Sequence, residues 1–311
     1  MRFIKYYCGI DGGGTKTLCV IVNEDLELVH KKEYPGTNFN QIGEDKAISI
    51  LEQLLEDISR YKIKSLTLGM PGYEEGSFIE ERLCELFRRD NIYSFNLFND
   101  VHVAMFGSLG LNDGIHVIAG TGSIACLKQD NEYKFCGGYG HLLEDPGSAF
   151  WIGLNSLKVV ANQIDNNEDS KLSIAIKEQV NIVNREDLIN FLYYQDDYRL
   201  HVASLAQIVD QCAKNGCKTS IKILKVAAKL LYNHVFILHK DKEEDLLVSF
   251  SGSVFKSKIL KEEFYDLTSK ENVQVIEKYL EPVMGAILYS INETDECNTK
   301  EIIKKLSEVK C

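Results

Sequence analysis

The sequence predicts an α/β protein built from two related domains facing one cleft. Three observations carry that prediction. Apolar runs of period 2 alternate with runs of period 3.6 over the first hundred residues. An apolar strand, a glycine turn and a second apolar strand open the chain, and the same unit returns after Gly114. The 311 residues exceed what one core usually covers, so two domains are expected.

In chain order, strands are expected over 3–10, 17–23 and 26–33. A helix follows at 43–59, where Ile48, Leu51, Leu54, Leu55 and Ile58 share one face. Residues 65–69 read as a buried strand, 78–89 as a helix and 93–98 as a strand. The second set has strands at 115–119, 124–128 and 133–138. Residues 147–239 read as mostly helical, with polar surface loops such as Asp165-Asn166-Asn167-Glu168-Asp169. Residues 245–250 return to strand, and Ser251-Gly252-Ser253 turns into a helix. The tail, 299–309, is amphipathic, with Ile302, Ile303, Leu306 and Val309 on one face. The first domain is expected over 1–113, rejoined by a C-terminal helix from 290–311. The second is expected over 114–289, with a helical insertion.

Hydrophobic content of 45% and charged content of 26% are those of an ordinary soluble globular protein. The net charge of −11 comes without a basic stripe, which argues against nucleic acid as a partner. An acidic protein that handles phosphate must gather positive potential locally, from backbone N–H groups and Mg²⁺. The nine cysteines are scattered and form no Cys-x-x-Cys pair, which fits reduced core thiols in a cytoplasm. No signal peptide precedes Ile10, and no apolar run is long enough to span a membrane.

The chemistry begins at Asp11-Gly12-Gly13-Gly14-Thr15-Lys16-Thr17. Glycines permit positive φ and close backbone approach, so such a turn can aim N–H groups at phosphate oxygens. Thr15, Thr17 and Lys16 add polar contacts, and the Asp11 carboxylate can hold a hydrated Mg²⁺. The spacing fits neither a Walker A loop nor a dinucleotide fingerprint, and the turn leads into a strand rather than a helix. Gly120-Thr121-Gly122-Ser123 and Ser251-Gly252-Ser253 are two further turns of this kind, each after a strand.

Asn99-Asp100 follows a strand and opens a helix. Asn and Asp are favoured helix caps. A carboxylate at the C-terminal end of a strand also points into the cleft of an open sheet, where it can accept a hydroxyl proton. Both hold if Asn99 caps and Asp100 faces the cleft. The segment 136–153 contains the single tryptophan and five of the 22 glycines, 137, 138, 140, 147 and 153. So many glycines are costly to order without a ligand to bind. Asp145 can bind sugar hydroxyls, His141 reads as structural or catalytic, and Trp151 as core. The polar stretch Gly36-Thr37-Asn38-Phe39-Asn40 is a surface turn or a substrate loop.

These motifs, with Gly69-Met70-Pro71-Gly72, Ser251-Gly252-Ser253-Val254-Phe255-Lys256-Ser257 and Glu281-Pro282-Val283-Met284-Gly285-Ala286, resemble the N-acetylglucosamine kinase branch of the BadF/BadG/BcrA/BcrD ATPase family. That family lies within the sugar kinase–actin superfamily. The resemblance implies an α/β fold of two RNase H-like (actin-like ATPase) domains around a central cleft, binding ATP, Mg²⁺ and an amino sugar. It implies cofactor contacts at Asp11, Gly12, Gly13, Gly14, Thr15, Lys16, Gly120, Thr121, Gly122, Ser123, Gly252 and Ser253, and at Ala213. Sugar contacts fall on Asn38, Asp100, Gly138, Tyr139 and Asp145, with Asp100 as the catalytic base and Asp11 holding Mg²⁺ through water. The implied reaction moves the γ-phosphate of ATP to a sugar hydroxyl, expected at carbon 6. Tyr139 stands where animal enzymes carry tryptophan, which leaves N-acetylglucosamine and N-acetylmuramic acid both open. Met70-Pro71-Gly72 is similar to bacterial members. The expected partners are an amino sugar, ATP and a second copy in a homodimer, with no nucleic acid and no membrane, in the cytoplasm.

Two alternatives belong to the same superfamily. ATPases that activate 2-hydroxyacyl-CoA dehydratases share an iron–sulfur cluster held by cysteines beside the glycine turns. Here Ala119 precedes Gly120, and Cys126 and Cys136 fall in strands. A non-enzymatic sugar-binding regulator usually carries a helix-turn-helix extension, and none precedes residue 1.

Overall fold

A computed structural model of the chain describes residues 5–130, 132–143, 145–194, 197–240, 246–295 and 298–309. Glu144, Asp245, Cys297 and Cys311 lie outside the described residues. The elements run β1 (Tyr6–Gly12), β2 (Lys16–Asn23), β3 (Leu28–Pro35), α1 (Phe39–Ile42), α2 (Glu44–Asp57), β4 (Ile63–Gly69), α3 (Phe78–Phe87), β5 (Phe95–Phe98) and α4 (Asp100–Leu109). There follow β6 (Gly114–Ala119), β7 (Ser123–Gln129), β8 (Glu132–Gly137), α5 (Ala149–Asn166), α6 (Lys171–Val180), α7 (Arg185–Tyr193), α8 (Tyr198–Lys214), α9 (Lys218–His239), β9 (Leu246–Ser251), α10 (Lys258–Thr268), β10 (Val273–Val275), α11 (Pro282–Asn292) and α12 (Thr299–Glu308).

Two compact units result, residues 1–112 with 277–311, and residues 113–276. Their sheets share one topology. The first has the order β3-β2-β1-β4-β5, and the second, read from the other edge, β8-β7-β6-β9-β10. In each, the first strand pairs antiparallel with the second and the second with the third, while the fourth lies parallel to the first and the fifth to the fourth. The repeated strand–turn–strand unit is therefore the first hairpin of each sheet.

The first sheet is buried on both faces, and the period-2 alternation of β2 shows how. Cys19 and Ile21 join Cys8 and Ile10 in a cluster under α2 and α3. Val20 and Val22 point the other way and pack with Tyr7 against α11 and α12. This second face explains where the chain returns. Val283, Met284 and Ile287 of α11 are buried against β1 and β2, so the return begins at residue 277 rather than 290. Glycines allow the close approach: a Cβ on Gly9 would lie 2.4 Å from the Val283 carbonyl, and one on Gly285 2.2 Å from the Gly107 nitrogen in α4.

In the second unit, all five helices between β8 and β9 share one core with the sheet. His116, buried in β6, is satisfied by Ser249 Oγ at 2.8 Å and Ser251 Oγ at 2.9 Å on the neighbouring β9. The described cysteines are free thiols, most of them buried. Among the described residues no helix is long and apolar enough to cross a membrane. The three-residue β10 had no clear signal in the sequence, being too short for alternation to register.

Candidate active site

The first glycine turn joins β1 to β2 and is clamped from outside. Thr37 donates its N–H to the Gly13 carbonyl at 3.1 Å, and its hydroxyl meets that of Thr17 at 3.0 Å. A Cβ on Gly12 would lie 2.6 Å from the Thr37 hydroxyl and 2.7 Å from the Gly69 carbonyl. Gly36 packs as tightly on the Gly14 carbonyl. The loop 36–38 is thus built onto the turn, and Asn38, which caps α1 by accepting from the Asn40 N–H, stands beside it. The N–H groups of Gly13, Gly14 and Thr15 donate to no other group among the described residues. They are free for an anion.

Carboxylates gather at the same end of this sheet. Asn99 caps α4, accepting from the Val101 N–H at 3.1 Å, and Asp100 is the first helical residue. The cap and the inward carboxylate therefore coexist in adjacent residues. Burial pushes the Asp100 carboxyl up to about 6, against the pull of the backbone N–H groups of Val101 and Asp100. Asp11, at the end of β1, is pushed up to about 7 by burial, with the charges of Asp100 and Glu281 adding to the rise and Lys16 opposing it. Glu281 is a participant that sequence reasoning noticed only as a helix opening. It stands at the start of α11, pairs with Lys278 at 2.6 Å and adds charge near Asp11. A buried carboxyl beside two further carboxylates is suited to a cation, and a hydrated Mg²⁺ fits the chemistry of these oxygen donors. Among the described residues no three metal-ligating side chains lie close enough to hold an ion alone. Water and phosphate oxygens would complete the shell around Asp11.

The second turn, Gly120-Thr121-Gly122, joins β6 to β7. Its carbonyls are occupied: Gly120 by the Ala149 N–H at 2.8 Å, Thr121 by the Phe150 N–H at 3.2 Å, and Gly122 by the Gly120 N–H at 2.9 Å. The N–H groups of Thr121 and Gly122 have no acceptor among the described residues. The turn thus presents donors and conceals acceptors, and the start of α5 holds it. Gly252, at φ +104°, stacks on the same strand end: a Cβ there would lie 2.1 Å from the Ala119 carbonyl, so only glycine fits.

Beside this turn the segment after β8 bends through three positive-φ glycines, 137, 138 and 140. It delivers Asp145, only 2% exposed, to the turn. Asp145 accepts the Gly140 N–H at 3.1 Å, and a Cβ on Gly122 would lie 2.6 Å from its Oδ2. Burial raises its pKa, opposed by Arg199, the Gly140 N–H and His141. His141 takes the structural role: its Nε2 meets the Tyr198 hydroxyl at 2.5 Å, and both rings pack on Phe150. That contact pins the start of α8 to the segment and sets Arg199 3.7 Å from Asp145 Oδ2. Arg199 lies in the helical insertion, 54 positions beyond Asp145 in sequence, with no glycine or acidic motif to mark it.

Several expected residues stand apart. The Ser123 hydroxyl donates to the Pro146 carbonyl at 2.8 Å and is buried, so it fastens the segment and is not offered to a phosphate. Lys16 turns along the sheet to Glu33 at 3.2 Å. Both side chains are more than half exposed, so releasing that pair costs about 0–1 kcal/mol. Ala213 is packed in the helical core, and its side chain offers the turn no surface. Trp151 packs against the core of the second unit. Tyr139, 76% exposed, and Gly138 lie on the surface of the segment, and Ser253 is exposed after Gly252. Thr15 is exposed at the tip of the first turn.

The profile of the BadF/BadG/BcrA/BcrD ATPase family matches residues 8–290. An N-acetylmuramic acid/N-acetylglucosamine kinase of Clostridium acetobutylicum is 27% identical over 310 residues, covering 94% of this chain and 100% of that protein. An N-acetyl-D-glucosamine kinase of Dictyostelium discoideum is 29% identical over 320 residues, covering 93% and 98%. A crystal structure from Chromobacterium violaceum, of a protein provisionally assigned as an N-acetylglucosamine kinase, superposes with a TM-score of 0.74 at 20% identity, covering 93% and 99%.

Proposed function

The chain belongs to the BadF/BadG/BcrA/BcrD ATPase family, and from that premise we propose that it is an ATP-dependent kinase of N-acetyl amino sugars that phosphorylates the 6-hydroxyl. The observation that carries this reading is Asp100: a carboxylate with a pKa raised to about 6, on a capped helix start at the end of a strand, beside a second buried carboxylate, Asp11. Amino-sugar kinases among the relatives support the substrate class.

In this reading the sugar oxygen attacks the γ-phosphorus, the bond from γ-phosphorus to the bridging oxygen breaks, and ADP leaves. The hydroxyl proton passes to Asp100 Oδ. A base with pKa near the working pH is both ionised and able to take a proton. The N–H groups of Gly13, Gly14 and Thr15, and those of Thr121 and Gly122, would bind phosphate oxygens, and Asp11 would hold Mg²⁺ through water. The ion supplies neutralisation of phosphate charge, while the residues supply position. Asp145 and Asn38 would bind sugar hydroxyls, with Gly138 and Tyr139 lining the sugar's approach. Gly252 and Ser253 would lie near the adenosine.

An iron–sulfur role fits the cysteines poorly. Burial pushes the Cys126 thiol up to about 12 and raises that of Cys136, away from the thiolates a cluster needs. ATP consumption with glucose, glucosamine, N-acetylglucosamine and N-acetylmuramic acid tests the proposal. The N-acetylated sugars should turn over far faster than glucose. Equal kcat/KM for glucose and N-acetylglucosamine would leave only a generic sugar kinase.

A further inference from the structure

Resting on the kinase reading above, we propose that Arg199, supplied by the helical insertion, binds the terminal phosphoryl group of the nucleotide. Its Nη2 lies 3.2 Å from where a Cβ on Gly122 would be, so the guanidinium sits against the donor-lined second turn. Guanidinium has five donors in a planar fork suited to phosphate oxygens. None of them makes a hydrogen bond to any described residue, and Nε is buried without a partner. Among the described residues its ion-pair partner is Asp145, whose Oδ2 is 3.7 Å away, close enough to balance the charge and too far for a hydrogen bond.

The placement is enforced rather than incidental. Tyr198, the preceding residue, is held by His141 and packed on Phe150. The guanidinium, the phosphate turn and the carboxylate assigned to the sugar therefore meet at one point, a Cβ on Gly122 lying 3.2 Å from Arg199 Nη2 and 2.6 Å from Asp145 Oδ2. The group that passes from nucleotide to sugar is the one that meets both. In a chain of net charge −11, one fixed cation at this point has a large local effect.

Calorimetric titration of the sugar-free protein with ADP and with a non-hydrolysable ATP analogue tests this, using wild type, Arg199→Met and Arg199→Lys. Losing a charge-assisted hydrogen bond predicts a loss of about 10–100-fold in analogue affinity for Arg199→Met, with ADP affinity changed less than about twofold. Arg199→Lys should recover part of the loss, and kcat for the sugar should fall in the same order. Unchanged analogue affinity in both variants, with only the sugar KM raised, would show that Arg199 merely holds Asp145. Equal losses for ADP and the analogue would also overturn the assignment. If wild type binds neither nucleotide nor turns over any amino sugar, the kinase reading itself fails, an outcome distinct from these.

Discussion

The two glycine turns occupy equivalent places in sheets of the same topology, yet their surroundings differ in charge, several carboxylates at the first and a cation paired with a carboxylate at the second. The turn after β1 faces Asp11, Asp100 and Glu281, and burial pushes the carboxyls of Asp11 and Asp100 up, with the neighbouring charges adding to the rise at Asp11. The turn after β6 faces Arg199 and Asp145, a pair in which the cation has donors to spare. One strand–turn–strand scaffold thus supplies N–H donors twice, and the neighbouring elements decide what each turn does. In the first unit those elements are the capped start of α4 and the returning α11. In the second they are the glycine-bent segment after β8 and the pinned start of α8.

The strongest way to break this comparison is to neutralise the carboxylate of one side. Asp100→Asn should lower kcat by about 10²–10⁴-fold, as expected for loss of a positioned general base. It should also stabilise the fold above neutral pH. A carboxyl raised from 3.8 to about 6 favours folding at low pH and loses that contribution as pH rises through 6, up to about 3 kcal/mol. Thermal unfolding at pH 8 reads the gain, and a variant both inactive and less stable would contradict the account.

Next in size is Asp145→Ala. Leaving its hydrogen-bonding partners unpaired at 1–3 kcal/mol predicts a rise of about 5–150-fold in sugar KM. The ATP KM should change much less, as steady-state kinetics with each substrate varied will show. Gly12→Ala and Gly122→Ala sharpen the contrast. The Cβ on Gly12 meets the Gly69 backbone, which cannot yield, so about 1–3 kcal/mol of stability should be lost in denaturant unfolding. The Cβ on Gly122 meets the Asp145 and Arg199 side chains, so activity should fall with a smaller stability change. The smallest effect is expected from Lys16→Met. Its exposed pair with Glu33 contributes little, and stability should move by less than about 0.5 kcal/mol.

Much of this was legible in the sequence because short-range rules govern it. The first hairpin, α2 and the long helical stretch followed their periodicities, and Asp11, Asp100 and Asp145 each stand in a motif with its own local logic. What was not legible depends on tertiary contacts. Glu281 charges the Asp11 site only because α11 buries its apolar face under β1. Arg199 reaches Gly122 only because His141 holds Tyr198. The Ser123 hydroxyl looks like a phosphate ligand in sequence and is taken by the Pro146 carbonyl, a partner 23 positions away along the chain. Lys16 looks like a phosphate cation and is drawn to Glu33 across the β2–β3 pair.

The pH dependence of kcat for N-acetylglucosamine phosphorylation, measured side by side for wild type and Asp100→Asn, tests the central claim most directly. If Asp100 is the base, its carboxylate accepts the hydroxyl proton when ionised, above about pH 6, and cannot when protonated below it. The wild-type rate should therefore fall about tenfold per unit below pH 6, while the variant stays low and shows no such limb. A variant that keeps the wild-type rate and the same acid limb would contradict the account.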